Sequence, residues 1–400
     1  MVAIRVLFVL AGAILGVFYP FLSAILAERG FSAAEIGLTI ALSSLAFMLA
    51  VPVWGHLADV VIGRVAALRL GVIGSTGAVL GLLLGVPPLA VVVLIVVYAA
   101  FESALSPLAD ALAVNALGRS PRSYARVRLL SSVGFAGTSI LAGRLYDDTG
   151  FGPAPILWAA LSVGVVIATH WVPDVARFRV DGPHAPAAPE RPARRGGSFM
   201  LVIRTQPRLR GVLLGLGLVH VGMLAGFTFL ALRLLELGGQ ASDVALSAGV
   251  SALAEIPAMA LIPRIVNRTG VRTLLVAGIL LYGAALVAWA FLADPSLIVA
   301  TRIVSGVGFS AITISAVMTI AALLPPELQA TGQGLYHTVG FGAAAVVANV
   351  VGGVVFGLGG AMPLFLGSAA LALLGAVVIW RVVPSSASGG WTSAGRTPAR

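Results

Sequence analysis

The chain has 400 residues, of which 59% are hydrophobic and 10% charged, with a mean hydropathy of +1.04. A soluble domain carries about a quarter charged residues, so water is not the solvent for most of this surface. Cysteine is absent, which excludes disulfides, thiolate metal sites and cysteine nucleophiles. The net charge of +10 rests on 25 basic residues, all arginine, and without lysine no phosphate-cradling G-x-x-x-x-G-K-[ST] loop can form.

A membrane-spanning helix needs roughly 20 mostly apolar residues. The chain offers such runs near 6–27, 35–58, 66–86, 89–117, 128–146 and 152–172, and again near 210–235, 243–265, 273–293, 296–324, 329–358 and 362–383. The first run follows Arg5 and is read as a membrane helix, not a signal peptide, because the internal repeat needs it as the partner of the run beginning near Arg210. Between the two sets of six lies 173–206, rich in Pro and Arg, which reads as a cytoplasmic linker. The expected organisation is an all-α membrane protein: a six-helix bundle over 1–172, the linker 173–206, a second bundle over 207–383 and a cytoplasmic tail 384–400. The 48 glycines suit it, since helices in lipid associate by close backbone approach at small residues.

Threading the runs alternately with the N-terminus inside puts 21 of the 25 arginines on the cytoplasmic side. Arg29, Arg144 and Arg233 fall outside, and Arg302 lies within the tenth run. By the positive-inside rule both termini are cytoplasmic in a bacterial inner membrane. An internal repeat supports the plan. Ser131-Ser132-Val133-Gly134-Phe135 matches His337-Thr338-Val339-Gly340-Phe341 at an offset of 206, and Gly55 and Asp59 match Pro263 and Asn267 at 208. Parallel six-helix repeats with a cavity between them define one large transporter architecture.

The loop Gly55-His56-Leu57-Ala58-Asp59-Val60-Val61-Ile62-Gly63-Arg64 resembles the major facilitator signature between helices two and three, G-x-x-x-D-R-x-G-R. No Arg follows Asp59, and one extra residue precedes Gly63. The second copy, Asn267-Arg268-Thr269-Gly270-Val271-Arg272, keeps the spacing but has Asn in place of Asp. The resemblance implies two six-helix bundles related by a pseudo-two-fold axis, with Gly55, Asp59, Gly63, Arg64, Asn267, Arg268, Gly270 and Arg272 as a conformational latch. Pro107 to Ala113, Tyr124-Ala125-Arg126-Val127-Arg128, Gly134-Phe135, Ala254-Glu255-Ile256-Pro257 and Ala330 to Tyr336 are similar to the branch holding lactose permease-like, phenylpropionate permease-like and nucleoside symporter-like carriers. These strings name a branch and no substrate.

A charge inside a bilayer costs roughly 2.5–3.5 kcal/mol on the insertion scale, so each needs a partner or a water-filled cavity. Glu102, Ser106 and Asp110 recur every four residues and are expected along one side of the fourth helix. Asp110 and Arg128 are separated by one cytoplasmic loop, and lactose permease-like carriers place a substrate-binding carboxylate and Arg in matching helices. That implies a substrate-contacting pair; an ion pair pinning two helices is the alternative. Glu255 lies mid-helix with no basic residue near it in sequence. A carboxylate that alternates between protonated and ionised as a cavity changes face is what proton coupling needs, and Glu255 and Glu102 are the candidates. The alternative for Glu255 is a permanently protonated core residue.

His220 and His337 read as packing residues before proton relays, and no histidine spacing suits a metal. Tyr19, Phe227, Tyr336 and Trp289 are candidates for stacking on a ring-bearing solute. Trp171 and Trp380 read as interfacial anchors. Helix five lacks the Gly-Pro signature of facilitator drug antiporters. The expectation is therefore a non-enzymatic, monomeric secondary transporter that imports a small organic solute with protons. It needs the proton gradient and no cofactor, and its partners are substrate, protons and lipid, with no nucleic acid. Proton-driven efflux is the competing reading, and a transport-dead sensor the third.

Overall fold

The computed structural model describes residues 2–117, 121–172 and 203–384. The linker and tail expected from sequence, apart from 203–206 and 384, lie outside the described residues. Among the described residues twelve long helical spans and no strands are present. They are α1 Val2–Glu28, α2 Ala33–Val61, α3 Arg64–Leu84, α4 Pro88–Ala116, α5 Pro121–Thr149 and α6 Ala154–Trp171 in the first half. The second half holds α7 Pro207–Glu236, α8 Ala241–Thr269, α9 Val271–Phe291, α10 Pro295–Leu323, α11 from Pro326 to Gly359 and α12 Ala361–Val382.

Eleven of these are long and apolar enough to cross a membrane. The exception is α5, whose ends carry Arg126, Arg128, Arg144, Asp147 and Asp148. It packs along α1 on one side and α8 on the other.

The two halves repeat each other in their contacts. Helix α1 packs on α5 and α6, α2 on α4, and α3 on α4 and α6; the same pairings recur six helices later, as α7 with α11 and α12, α8 with α10, and α9 with α10 and α12. Across the halves α2 meets α11 and α8 meets α5, and each pairing is the image of the other under the same six-helix step. The backbone keeps the repeat too. Left-handed glycines follow α1 and α7 (Gly30, φ +83°; Gly238, φ +81°), α2 and α8 (Gly63, +86°; Gly270, +81°) and α5 and α11 (Gly150, +66°; Gly360, +74°), spaced 208, 207 and 210 residues apart. A side chain at such a φ is strained, so glycine fixes these turns.

Three spans are broken where the chemistry requires it. Pro20 interrupts α1 in a 3-10 turn, Tyr19–Phe21. Pro107 has no N–H to donate to the turn before it, and α4 breaks at Ser103 and Ala104, into Pro88–Glu102 and Leu105–Ala116. Helix α11 contains a π turn, Thr338–Ala343. A further π turn, Leu57–Val61, ends α2, closed by the Ile62 N–H on the Leu57 carbonyl at 2.9 Å. It absorbs the extra residue in the first copy of the signature, because a π turn holds one residue more than an α turn. The second copy, without that residue, runs α-helical to Thr269.

Candidate substrate cavity and buried charges

The helix pairs that join the halves set the shape of the space between them. Their closest approaches fall in the half of the molecule away from the chain termini. Gly37 of α2 meets Asn349 and Gly353 of α11, and Gly143 of α5 meets Ala241 and Ala245 of α8, in each case with no room for a Cβ. Beside the second seam the Asp147 carboxylate accepts a 2.9 Å bond from the Ser242 N–H, capping the start of α8 from the opposite half.

A cavity of about 580 Å³ lies between the halves, lined by α1, α2 and α4 on one side and α7 and α11 on the other. Its walls are mostly apolar with a few polar groups, the usual make-up of a small-molecule site. The Tyr19 and Phe227 rings meet within it from opposite halves, with centroids 5.9 Å apart. The π turn of α11 contributes Thr338, Phe341 and Gly342, with His337 just before it. Two buried polar atoms at this wall, the Tyr98 hydroxyl and the Asn349 Oδ1, have no hydrogen-bond partner in the protein.

Glu102 is the carboxylate in the cavity wall. The break in α4 separates it from Asp110, so the expected continuous face Glu102–Ser106–Asp110 is divided: Glu102 and Pro107 line the cavity, Ser106 and Asp110 do not. Asp110 and Arg128 do approach each other. Arg128 bears on the Asp110 charge and Tyr124 engages it through its hydroxyl, but no ion pair within 4.0 Å joins them, and Arg128 is exposed. Tyr124 is a partner that sequence reading passed over; its place one turn before Arg128 was the available signal.

Glu255 is not the isolated carboxylate its sequence neighbourhood suggested. Arg302 of α10 bears on its charge, with no ion pair within 4.0 Å joining them, and Ser251, one turn earlier, engages its carboxylate. Arg302 is 3% exposed. Its Nε donates to the Ser247 carbonyl at 3.2 Å and its Nη1 to the Ser305 hydroxyl at 2.8 Å. Its guanidinium lies 5.2 Å from the centre of the Trp289 ring, and Tyr282 completes the cluster. Gly306 lets α10 close onto Ser251 and Ala254 of α8. None of these residues lines the central cavity.

The histidines divide as well. His220 is fully buried, its Nδ1 2.8 Å from the Leu216 carbonyl and its Nε2 3.3 Å from the Tyr336 hydroxyl. An N–H at Nδ1 leaves Nε2 to accept from Tyr336, so both nitrogens are satisfied within the fold. Tyr336 and Trp289 are core residues with no exposed surface, so of the four candidate stacking rings Tyr19 and Phe227 reach the cavity. Trp171 and Trp380 are exposed at helix ends, and Trp380 also carries Arg272 at 4.1 Å from its ring centre.

In the signature loop Arg64 binds Asp59 through Nε at 3.0 Å and Nη2 at 2.9 Å, an ion pair within one half. Asn267 and Arg268, in the second copy, are exposed, and Gly63 and Gly270 start α3 and α9 in the same extended, left-handed conformation. The arginines opposite the termini are also paired by the repeat: Arg29 donates to the Leu82 carbonyl and Arg233 to the Leu292 carbonyl.

Residues 1–367 match the model of the MFS_1 like family. The chain belongs to that family. Its fold and its repeat are those of a major facilitator transporter, and it is a membrane transporter of that type. A maltose permease of Geobacillus stearothermophilus is 30% identical over 342 residues, spanning 84% of this chain and 83% of that protein. Among solved structures the nucleoside transporter NupG superposes with a TM-score of 0.79 at 16% identity, covering 95% of this chain and 98% of that one. A D-xylose-proton symporter does so with a TM-score of 0.67 at 14% identity, covering 96% and 98%. The facilitator fold explains why the binding space lies between halves instead of within either one.

Proposed function

We propose that this transporter is a proton-coupled symporter importing a small organic solute across the bacterial inner membrane by alternating access, with the two bundles 1–172 and 207–383 rocking about the cavity and both termini in the cytoplasm. The observation that carries the reading is the cavity itself. It lies between the halves, is sealed away from the termini by the Gly37–Gly353 and Gly143–Ala245 seams, and holds a carboxylate, Glu102, in its wall. With the termini inside, as the arginine distribution favours, this arrangement is the inward-facing state.

The solute is of sugar or nucleoside size, in keeping with relatives named for maltose, xylose and nucleosides. Tyr19 and Phe227 offer it a ring platform, Tyr98 and Asn349 offer unpartnered hydrogen-bonding atoms, and Glu102 offers a carboxylate. Asp110 and Arg128 act at the cytoplasmic exit of this path, and Asp59 with Arg64 forms the latch that engages when the cavity turns outward. Each monomer contains a complete cavity, and no cofactor enters the cycle. Uptake of labelled maltose, xylose and uridine into proteoliposomes, with and without an imposed pH gradient, tests the reading. Accumulation of one of them only on an inward proton gradient supports it. Equilibration without accumulation under every gradient overturns it.

A further inference from the structure

The central cavity is short of positive charge and rich in hydrogen-bond acceptors. Among its lining residues there is no arginine, and the chain contains no lysine. The Glu102 carboxylate in its wall forms no ion pair within 4.0 Å among the described residues. His337, stacked on Phe341 with ring centroids 5.7 Å apart, is the basic side chain that borders the same space. An anionic solute would therefore meet Glu102 with no permanently charged cation in the lining to offset the repulsion.

The neutral polar groups point the same way. A hydroxyl has one hydrogen to give. Ser43 and Ser44 each donate theirs to the Ile40 carbonyl at 2.8 Å, and Thr338 donates to the Gly334 carbonyl at 2.9 Å. A carbonyl only accepts, so these hydrogens are committed to the backbones of their own helices, and what the three side chains have left for a solute is oxygen lone pairs. The same reasoning orients Asn349. Its Nδ2 donates to the Ala345 carbonyl at 2.7 Å, and the Oδ1 of this residue, 2% exposed, has no partner in the protein. The unpartnered Tyr98 hydroxyl can serve either way.

The complement of an acceptor-lined wall is a donor-rich solute, and the complement of an unpaired carboxylate is a cation. An alkylammonium group is both, with three N–H donors and a positive charge. The rings add a third element. Tyr19 and Phe227 meet from opposite halves with centroids 5.9 Å apart, and Phe47 and Phe341 border the same cavity. Aromatic faces attract an organic cation through their quadrupole, more strongly where water is excluded. A neutral solute would use the rings and the lone pairs but leave the Glu102 charge unanswered.

We propose that the cavity is built for an organic cation: a ring-bearing solute of sugar or nucleoside size that carries a protonated amine. Glu102 anchors the ammonium group, Ser43, Ser44 and Asn349 accept its hydrogen bonds or those of its neighbours, and Tyr19 and Phe227 hold the ring. This rests on the cavity being the solute site, as above, and narrows that reading to one class of solute.

Isothermal titration of the purified full-length protein in nanodiscs with two matched sets of probes tests this. One set is glucose, glucuronate and the glucose analogue bearing an amine on its exocyclic carbon; the other is tyrosol, hydroxyphenylacetate and tyramine. Within each set the ring is constant and one group changes from neutral to anionic to cationic. In at least one set the amine should bind about 10- to 100-fold more tightly than its neutral counterpart, the worth of a hydrogen bond to a charged group, and the anion should bind most weakly. Glu102→Gln should remove the amine's advantage and leave the neutral probe little changed. An amine that binds no better than its neutral counterpart in both sets, or an anion that binds best in either, overturns the assignment, and so does a Gln variant that keeps the full preference. The comparison within each set uses the wild-type protein, so it is decisive even where the variant does not fold. Binding needs no gradient: proton-coupled uptake can fail in proteoliposomes while the preference for amines stands, and the preference can fail while uptake of a neutral solute stands.

Discussion

Gly37 on α2 and Gly353 on α11 touch backbone to backbone across the interface between the two halves, so that a Cβ built on Gly37 comes 2.9 Å from the Gly353 Cα. Helices approach this closely in lipid only at glycine or similarly small residues, and the contact seals the cavity on the side away from the termini.

Enlarging either partner should unseal it. Overpacking costs about 1–3 kcal/mol, enough to move a balanced two-state transporter decisively toward its other conformation. Gly37→Leu and Gly353→Leu are each expected to favour the outward-facing state. The natural chain has no cysteine, so a single Ser43→Cys in the cavity wall provides the probe. Its labelling by an impermeant maleimide on intact cells should rise in either leucine background; unchanged labelling would count against the seam as the outer seal.

The Asp147 cap on α8 should act in the same direction more weakly. A lost cap costs about 1 kcal/mol, a factor of about five in a two-state equilibrium. Asp147→Ala is expected to raise outward accessibility by that factor, and Asp147→Asn, which retains an acceptor oxygen, by less. Equal effects of Ala and Asn would mean that the Ser242 bond does not contribute.

The Asp110, Tyr124 and Arg128 group yields a prediction about transport, not folding. Asp110→Asn and Arg128→Gln are each expected to abolish transport. Tyr124→Phe removes a hydrogen bond to a charged group, worth about 1.5–3 kcal/mol, and should cut the transport rate by about 10- to 100-fold. If the charges serve only to pin α4 to α5, the neutral double variant D110N/R128Q recovers transport in the proteoliposome assay. If they contact solute, it stays inactive although folded.

Topology can be read with the same cysteine-free background. A cysteine at Gly152, between α5 and α6, should react with impermeant maleimide on intact cells, and one at Ile62, between α2 and α3, only after the membrane is opened. The reverse pattern would turn the whole threading over.

Much of this protein is determined by sequence alone. Twenty-residue apolar runs and the repeat near 207 residues specify a two-half facilitator, because lipid permits few ways to satisfy a backbone. The extra residue before Gly63 was legible as an irregularity, and its form, a π turn, follows from helix geometry. Tertiary structure decided which charges keep company. Arg302 and Ser247 are 55 residues apart in the chain and meet where Gly306 lets α10 close onto α8. Glu102 and Asp110 are eight apart and were expected on one face, yet Pro107 breaks the helix between them and leaves Glu102 alone in the cavity wall. Helical periodicity predicts neighbours along one helix; which face meets the cavity, and which cation lies across from it, depends on how close the backbones can come.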